Sequence, residues 1–68
     1  MAKKKTVGTM IKHFRELSGI SQRELAKKSG VTNVAICRIE IGALRQGPKL
    51  STLKAIARAL RIKIEDLL

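Results

Sequence analysis

The apolar residues at the start of the chain recur at intervals of three and four, the period of an amphipathic helix. Four of them follow this spacing between charged residues: Met10, Ile11, Phe14 and Leu17. The pattern predicts a first helix that begins near Val7 and ends near Gly19.

A second helix is predicted from its capping residues. Ser21 stands three positions before Glu24, the spacing at which hydroxyl and carboxylate each satisfy a free backbone amide at a helix start. The helix therefore begins at Gln22 and runs to Ser29. Gly30 follows, and glycine readily adopts the positive φ that a sharp helix exit requires.

A third helix follows after only a few residues. Thr32 can cap it, and it is expected to end near Glu40 or Ile41. Its predicted inward residues are Ile36 and Ile39, and Val31, just before the cap, joins them. Its outward residues are a mixture that an ordinary solvated face does not explain: Asn33, Val34, Cys37 and Arg38.

The rest of the chain predicts a loop and two more helices. The segment 42–50 is rich in glycine and contains a proline, which indicates a loop. Ser51 is expected to cap a fourth helix, whose inward residues are Leu53, Ile56, Ala57 and Leu60. A short last helix is predicted at 64–68. Since no segment has the period of a strand, the expected fold is an all-α compact bundle of about five short helices.

Length and charge narrow the function. The chain has 68 residues and a net charge of +10, so we expect one domain, at 7–68, preceded by a flexible basic tail at 1–6. Such a charge favours a polyanionic partner. Phe14 is the only aromatic residue, which argues against stacking on single-stranded bases and favours duplex phosphates.

Several other functions are not expected. Cys37 and His13 are the only cysteine and histidine, too few for a structural zinc site or an internal disulfide. No nucleophile, base and orienting group can be assembled from the scattered carboxylates, so we expect no enzyme and no cofactor. Neither a signal peptide nor a membrane span is predicted, and the expected setting is the reducing cytoplasm.

The residues from Ser21 to Gly42 read SQRELAKKSGVTNVAICRIEIG, and they are followed by Pro48, LSTLKAIARAL and IEDLL. This resembles the Cro/C1 phage-repressor (XRE-type) family, whose pattern is roughly SQxxLAxxxGVSxxxISRxExG, then a proline, an apolar-periodic helix and a closing apolar helix. The resemblance covers about residues 7–68. It implies a lambda repressor-like DNA-binding domain with a helix-turn-helix, in a bacterial or phage-encoded, nucleoid-associated protein.

The resemblance also implies roles for individual residues. The base-reading set would be Gln22, Thr32, Asn33, Val34 and Arg38, and Gln22 would contact a phosphate as well. Phosphate contacts would come from Ser21, Arg23, Cys37, Arg45 and Lys49. The turn and the packing of the two helices would depend on Ala26, Gly30, Val31, Ile36 and Ile39. A dimer interface would form from Ile64, Leu67 and Leu68.

The chemistry of the third helix agrees with a base-reading role. Asn pairs bidentately with adenine and Arg with guanine, and a Val side chain can meet a thymine methyl group. Glu40 is expected to be structural and to bond to Arg38 or another basic neighbour. The alternative for the outward residues of the third helix is an exposed helix face without a binding role.

The sequence departs from the family pattern in several places. The loop before Pro48 is two residues longer. Ile41, Ala43 and Leu44 replace polar residues that often reach a phosphate. Ser29 replaces an apolar residue and should loosen the contact between the helices. At the end of the chain, Arg61 replaces a helix-ending glycine and Lys63 a capping Ser or Asp.

Three functions follow for testing. The leading one is a sequence-specific regulator, a repressor, that binds double-stranded DNA as a homodimer at a palindromic operator. The alternative is an antitoxin-like or adaptor module with a protein partner, suggested by the apolar Ile41, Ala43 and Leu44. The third is a non-specific nucleic-acid coating protein. If the protein is such a DNA-binding regulator, oxidation or alkylation of Cys37 could block DNA binding.

Overall fold

The structure, a computed structural model, describes residues 6–44 and 47–68. Over these residues the chain forms four α-helices and one 3₁₀ helix and contains no strand. The helices are α1 (Val7–Leu17), α2 (Gln22–Ser29), α3 (Asn33–Ile41) and α4 (Leu50–Leu60), and the 3₁₀ helix is Ile64–Leu67. The predicted all-α bundle of about five short helices is confirmed.

The first helix begins at a cap that the predicted tail contained. The Thr6 hydroxyl accepts a hydrogen bond from the Thr9 backbone N–H at 3.2 Å, and the Thr6 N–H donates to the Thr9 hydroxyl at 2.9 Å. Thr6 therefore belongs to the folded domain rather than to the tail. The rest of the predicted tail, 1–5, lies outside the described residues.

The predicted cap of α4 was wrong. Lys49 occupies the N-cap position with extended backbone and makes no side-chain cap hydrogen bond, whereas Ser51 lies inside the first turn and is exposed. The chain enters the helix directly after Pro48, whose ring leaves little choice of backbone conformation. The inward residues of α4 are buried as predicted: Leu53, Ile56, Ala57 and Leu60.

The end of α4 and the start of the 3₁₀ helix use the residues that depart from the family pattern. Arg61 adopts the left-handed conformation (φ 57°, ψ 42°) that glycine usually supplies. The next residue closes the helix, since the Ile62 N–H donates to the Ala57 carbonyl at 3.0 Å. The Lys63 N–H in turn donates to the Asp66 carboxylate at 3.1 Å, so a residue three positions later supplies the missing cap.

One apolar core joins all five elements. Helix α1 packs on α3, α2 packs on both α3 and α4, and the 3₁₀ helix packs on α4 and α1. The core residues are Ile11, Leu25, Ile36, Ile39, Leu53, Ile56, Ala57, Leu60 and Leu67. This arrangement holds α3 between α1 and α2 with its remaining side open.

The approach of α1 to α3 depends on a glycine. Gly8 is buried in the first turn of α1, and a Cβ at this position would collide with the carbonyl oxygen of Ile39. The close approach brings the start of α1 against the last turn of α3. The position of α3 therefore depends on the smallest side chain in α1.

Candidate nucleic-acid interface

The N-terminus of α2 is fixed by the predicted capping box. The Ser21 hydroxyl accepts from the Glu24 backbone N–H at 3.1 Å, and the Glu24 carboxylate accepts from the Ser21 N–H at 3.1 Å. The Ser21 hydroxyl still has its proton to donate. Ser21 and the neighbouring Arg23 are both exposed, so either can contact an anionic group outside the domain.

The turn between α2 and α3 is closed by a glycine and a serine. Gly30 adopts φ 76° and donates its N–H to the Ala26 carbonyl at 2.9 Å. The Ser29 hydroxyl accepts from the Val31 N–H at 3.2 Å. Ser29 was expected only to loosen the contact between the helices, but its hydroxyl pairs a half-buried amide that an apolar side chain would leave unpaired.

The inward side of α3 anchors it on the rest of the domain. Ile36 is fully buried and Ile39 nearly so, while Val31 and Ala26 are half-buried and pack against the core. These residues and Gly30 are the predicted packing set, and the structure brings them together between α2 and α3. Burial of two isoleucine side chains stabilises this position by roughly 2 kcal/mol for each.

The outward side of α3 is open to solvent. The Thr32 hydroxyl caps the helix by accepting from the Ala35 N–H at 3.1 Å. Asn33, Val34 and Arg38 are exposed, and Val34 keeps 59% of its surface accessible. Within the described residues, the Asn33 and Arg38 side chains have no hydrogen-bond or ion-pair partner. Their polar groups are therefore available to a ligand.

A buried hydrogen-bond network links α1, α2 and α3. Arg15 donates to Glu40 through Nε to Oε2 at 2.7 Å and through Nη2 to Oε1 at 3.1 Å, and Arg15 Nη1 donates to the Ile20 carbonyl at 2.9 Å. Gln22 Nε2 also donates to Glu40 Oε1, at 3.0 Å. Only 3% of the Glu40 side chain and 12% of the Arg15 side chain are exposed. The network fixes the last turn of α3 against the start of α2.

The network shows the partners of two predicted residues. Glu40 was expected to be structural and to bond to Arg38 or another basic neighbour; the basic neighbour is Arg15, and Gln22 is a second partner. Gln22 was expected to contact a phosphate and a base edge, and one of its two amide N–H groups is donated to Glu40 inside the protein. The hydrogen bond to Glu40 raises the pKa of the Arg15 guanidinium above its ordinary value, so Arg15 stays charged throughout the ordinary pH range.

Arg15 was missed by the sequence analysis, although the sequence held a signal for it. Arg15 follows the buried Ile11 by four residues, and Glu40 follows the buried Ile36 by four. Each charge therefore lies on the inward face of its own helix. Two opposite charges at inward positions indicate a buried pair, because a lone buried charge is costly.

The remaining residues that were predicted to contact phosphates differ in their exposure. Cys37 is half-buried on α3, and Lys49 is exposed at the start of α4. Arg45 lies outside the described residues. No cluster of three or more metal-ligating side chains occurs in the part of the chain that the structure describes.

The predicted dimer residues need a correction. Leu67 is only 1% exposed, because it is packed in the core of a single copy, and Ile64 is half-buried against the same core. Leu68 is 75% exposed. Of the three predicted residues, Leu67 is therefore unavailable to a second copy, and Leu68 is available.

A shallow apolar groove lies beside the last turn of α3. Its volume is about 330 Å³, and its lining consists of Thr6, Val7, Gly8, Ile39, Gly42, Leu44, Gly47 and Pro48. Ile41, next to the groove in sequence, is 70% exposed.

None of the described helices is both long and apolar enough to cross a membrane.

Solved structures of other proteins share this arrangement of helices. The chain superposes on the P22 c2 repressor in complex with a synthetic operator with a TM-score of 0.84, at 32% identity over 96% of each chain. It superposes on the N-terminal DNA-binding domain of SinR from Bacillus subtilis with a TM-score of 0.84, at 30% identity over 90% of this chain and 87% of that one. The restriction-modification controller C.AhdI from Aeromonas hydrophila gives a TM-score of 0.85, at 27% identity over 91% of each chain.

Sequence comparisons point the same way. Residues 11–67 match the family model described as helix-turn-helix. An uncharacterized HTH-type transcriptional regulator of Archaeoglobus fulgidus is 42% identical over 87% of this chain and 81% of its own length. Another, from Mycobacterium tuberculosis, is 42% identical over 88% of this chain, which spans only 41% of that relative's length.

Proposed function

Because the chain belongs to the Cro/C1-type (XRE-type) helix-turn-helix family of DNA-binding transcriptional regulators, we propose that it is a sequence-specific repressor that places α3 in the major groove. The observation that carries this proposal is the open face of α3. Its exposed polar groups have no partner within the described residues, while its opposite face is anchored in the core. A helix held in this way can read base edges without rearrangement.

Each residue of this face has a role that its chemistry supports. Asn33 offers an amide for the N6 and N7 of adenine, and Arg38 a guanidinium for the O6 and N7 of guanine. Val34 offers a methyl surface to thymine, and the Thr32 hydroxyl, which caps the helix, still has a proton to donate. The P22 c2 repressor, bound to an operator in its solved structure, supports double-stranded DNA as the ligand.

Contacts to phosphates would surround this reading face. Ser21, Arg23 and Lys49 are exposed at the starts of α2 and α4, and we assign them to the DNA backbone. If about six to ten phosphates are neutralised per complex, affinity should fall on the order of a thousandfold or more between low and moderate salt. Cys37 is half-buried next to this face and would lie near the backbone.

We further propose that the repressor acts as a homodimer on a palindromic operator. One α3 contacts only a few base pairs, and a second copy doubles the contacts and fixes half-sites about 34 Å apart. The exposed Leu68 at the end of the chain is the part of the originally predicted interface that remains available. Leu67 belongs to the core of each copy, and Ile64 packs half-buried against that core.

Selection from a random pool of duplexes at about 150 mM salt tests this function, because that ionic strength weakens binding by charge alone. The proposal expects enrichment of a two-fold symmetric site. A pool that stays random would contradict sequence-specific recognition. Enrichment of an asymmetric site would contradict the homodimer but would still support base reading by α3.

A second function is supported by the exposed apolar residues at the end of α3 and in the loop that follows it. Ile41 is 70% exposed and Leu44 37% exposed beside the apolar groove. An antitoxin-like or adaptor protein could bind a partner protein there and contact DNA secondarily. Replacing Ile41 with Lys separates the two functions: partner capture should be lost if this surface is the main site, whereas a repressor should keep its affinity for the selected operator.

A further inference from the structure

We propose that the outward face of α4 is a second DNA-binding surface, which holds another duplex segment while α3 holds the operator. The surface consists of three exposed cations, Lys54, Arg58 and Arg61, and is called the basic stripe below. This inference goes beyond the proposed function, in which DNA contacts are confined to α3 and the starts of α2 and α4. It makes the protein a bridge between two DNA segments.

The basic stripe is the exposed face of α4 beyond its first turn. From Thr52 to the C-cap at Arg61, the exposed residues are the three cations and no others. Spacings of four and three residues place them on one side of the helix, and the opposite side is buried in the core. The rise of about 1.5 Å per residue makes the stripe about 10 Å long.

No acidic group neutralises the stripe in the part of the chain that the structure describes. Helix α4 contains neither Asp nor Glu, and the one ion pair among the described residues joins Arg15 to Glu40. Like charges at spacings of three and four repel one another along a helix. Solubility alone is served by charges of both signs interspersed, so this arrangement favours an anionic ligand.

Arg61 is a cation at a position that favours glycine. It is the only described residue other than glycine with a positive φ, 57°, and this conformation is costly for a residue with a Cβ. Backbone strain of this kind is concentrated at functional sites. The helix dipole favours cations in a last turn, which accounts for Arg58 but not for Lys54 in the middle of α4 or for the strain at Arg61. An anionic ligand accounts for all three.

The stripe lies apart from the reading face of α3. Helix α2 packs on both α3 and α4 and so lies between them. Along the axis of α4, Arg58 and Arg61 are about 14 and 18 Å from Lys49, the phosphate contact proposed at its start. Charges at about 150 mM salt are screened beyond roughly 8 Å. The far end of the stripe therefore adds little to the binding of the first duplex and stays open to another.

A DNA backbone fits the stripe better than a protein or a membrane does. One strand of a duplex presents a phosphate about every 3.4 Å along the axis, so a stripe of about 10 Å spans about three phosphates. Protein interfaces usually have an apolar core, and the stripe consists of cations alone. An anionic membrane takes up the apolar face of a helix, and in α4 that face is buried.

An NMR titration locates the second duplex. The protein is first saturated with the duplex enriched from the random pool, so that α3 is occupied, and a scrambled duplex is then added at about 100 mM salt. In ¹H–¹⁵N spectra we expect new shifts of the backbone amides around Lys54 and Arg58. Shifts on α3 instead, or no shifts at all, would overturn the proposal.

Bridging itself is measured by capture. Enriched duplex is immobilised and loaded with protein, free protein is washed away, and the affinity for a labelled scrambled duplex is measured at several salt concentrations. The slope of log Kobs against log salt should be about −2.7, which is 0.9 for each of three phosphates. A slope near zero would overturn the proposal, because it would exclude phosphate contacts.

A double variant and its matched control separate the stripe from net charge. Lys54→Gln/Arg58→Gln should weaken capture about tenfold or more and bring the slope to about −0.9. Lys12→Gln/Lys27→Gln removes the same charge from exposed positions on α1 and α2 and should change capture less than about threefold. Equal losses in the two double variants would show attraction by net charge alone and would overturn the proposal.

Arg61→Gly removes the third cation without risk to the fold, because glycine relieves the strain at this position. It should weaken capture of the scrambled duplex about fivefold and change the affinity for the enriched duplex less than about twofold. Unchanged capture would overturn the assignment of Arg61 to the stripe.

Two further results distinguish the alternatives. If a polyglutamate peptide of equal charge displaces the scrambled duplex as well as unlabelled duplex does, the surface fits an acidic protein, and the proposal is overturned. If the protein enriches no duplex from the random pool, the proposed function fails separately. Titration of the free protein with the scrambled duplex then still tests the stripe, because shifts on α4 require no operator.

Discussion

The residue that bears the clearest local strain is Arg61. It adopts the left-handed conformation at the end of α4 because the Ile62 N–H must reach the Ala57 carbonyl, at 3.0 Å. This conformation costs a residue with a Cβ roughly 1 to 2 kcal/mol. Glycine avoids that cost but loses more backbone conformational entropy on folding.

Arg61→Gly should therefore stabilise the domain by up to about 1 kcal/mol. Lys54→Gly is the matched control, since it removes one positive charge from an exposed position in the interior of the same helix and should destabilise by about 1 kcal/mol. Urea unfolding followed by circular dichroism measures both. A destabilised Arg61→Gly variant would show that the side chain is needed more than its backbone is strained.

The Arg15–Glu40 pair should behave differently when one partner or both are removed. Arg15→Met or Glu40→Met alone leaves a buried charge and should cost about 3 to 5 kcal/mol, enough to unfold much of so small a domain. The double variant should recover most of that loss, because no uncompensated charge remains. Chemical unfolding of the three variants checks this, and additive losses would contradict it.

The pH dependence of this pair follows from the raised pKa of Arg15. A group whose folded-state pKa is raised stabilises the fold below its unfolded-state value, and this stabilisation is lost only as pH rises through the folded-state value. For Arg15 that window lies above about pH 12. The contribution of Arg15 to the free energy of unfolding should therefore stay constant from pH 6 to pH 10.

At the scale of elements, the crossing of α1 and α3 is set by Gly8. Alanine in a helix normally stabilises relative to glycine by about 0.5 to 1 kcal/mol. Gly8→Ala should instead destabilise by about 1 to 3 kcal/mol, because its Cβ would collide with the Ile39 carbonyl oxygen and push the helices apart. Thermal unfolding measures the effect, and a stabilised variant would contradict the close approach.

The caps of α2 and α4 give a paired prediction. Ser21→Ala removes a hydroxyl that accepts from Glu24 N–H at 3.1 Å and should cost about 1 kcal/mol. Ser51→Ala removes an exposed hydroxyl inside α4 and should change stability by less than about 0.5 kcal/mol. Equal losses in the two variants would indicate that Ser51 caps α4 after all.

Local patterns predicted the elements well, and long-range packing decided what they missed. The capping box at Ser21 and the turn at Gly30 were predictable because both depend on neighbours within a few residues. The cap of α4 was not, because the path of the chain through Pro48 determined where the helix starts. Leu67 was assigned to a dimer interface because its apolar character is the same whether one copy or two bury it.

The same limit applied to the candidate site. The outward positions of α3 followed from helical periodicity, and the structure leaves Asn33 and Arg38 exposed as expected. The hydrogen bond of Gln22 to Glu40 joins residues eighteen positions apart in sequence, so no local pattern could reveal it. Whether these groups bind DNA stays a prediction.

At the scale of the whole molecule, charge and shape make separable contributions. The +10 charge favours polyanions in general through binding that salt weakens, whereas the proposed reading face of α3 would distinguish sequences. A regulator and a coating protein would both show salt-dependent binding by charge. Only the regulator would discriminate between sequences, so the ratio of specific to non-specific affinity distinguishes the two.

Fluorescence anisotropy at about 150 mM salt measures that ratio most directly, for the enriched duplex and a scrambled duplex of equal length. We expect the unmodified protein to prefer the enriched duplex by about a thousandfold or more. We also expect Asn33→Ala to lose about 1 to 3 kcal/mol of binding free energy on the enriched duplex and almost nothing on the scrambled one. Equal affinities for the two duplexes, or equal losses on both, would contradict base reading by α3.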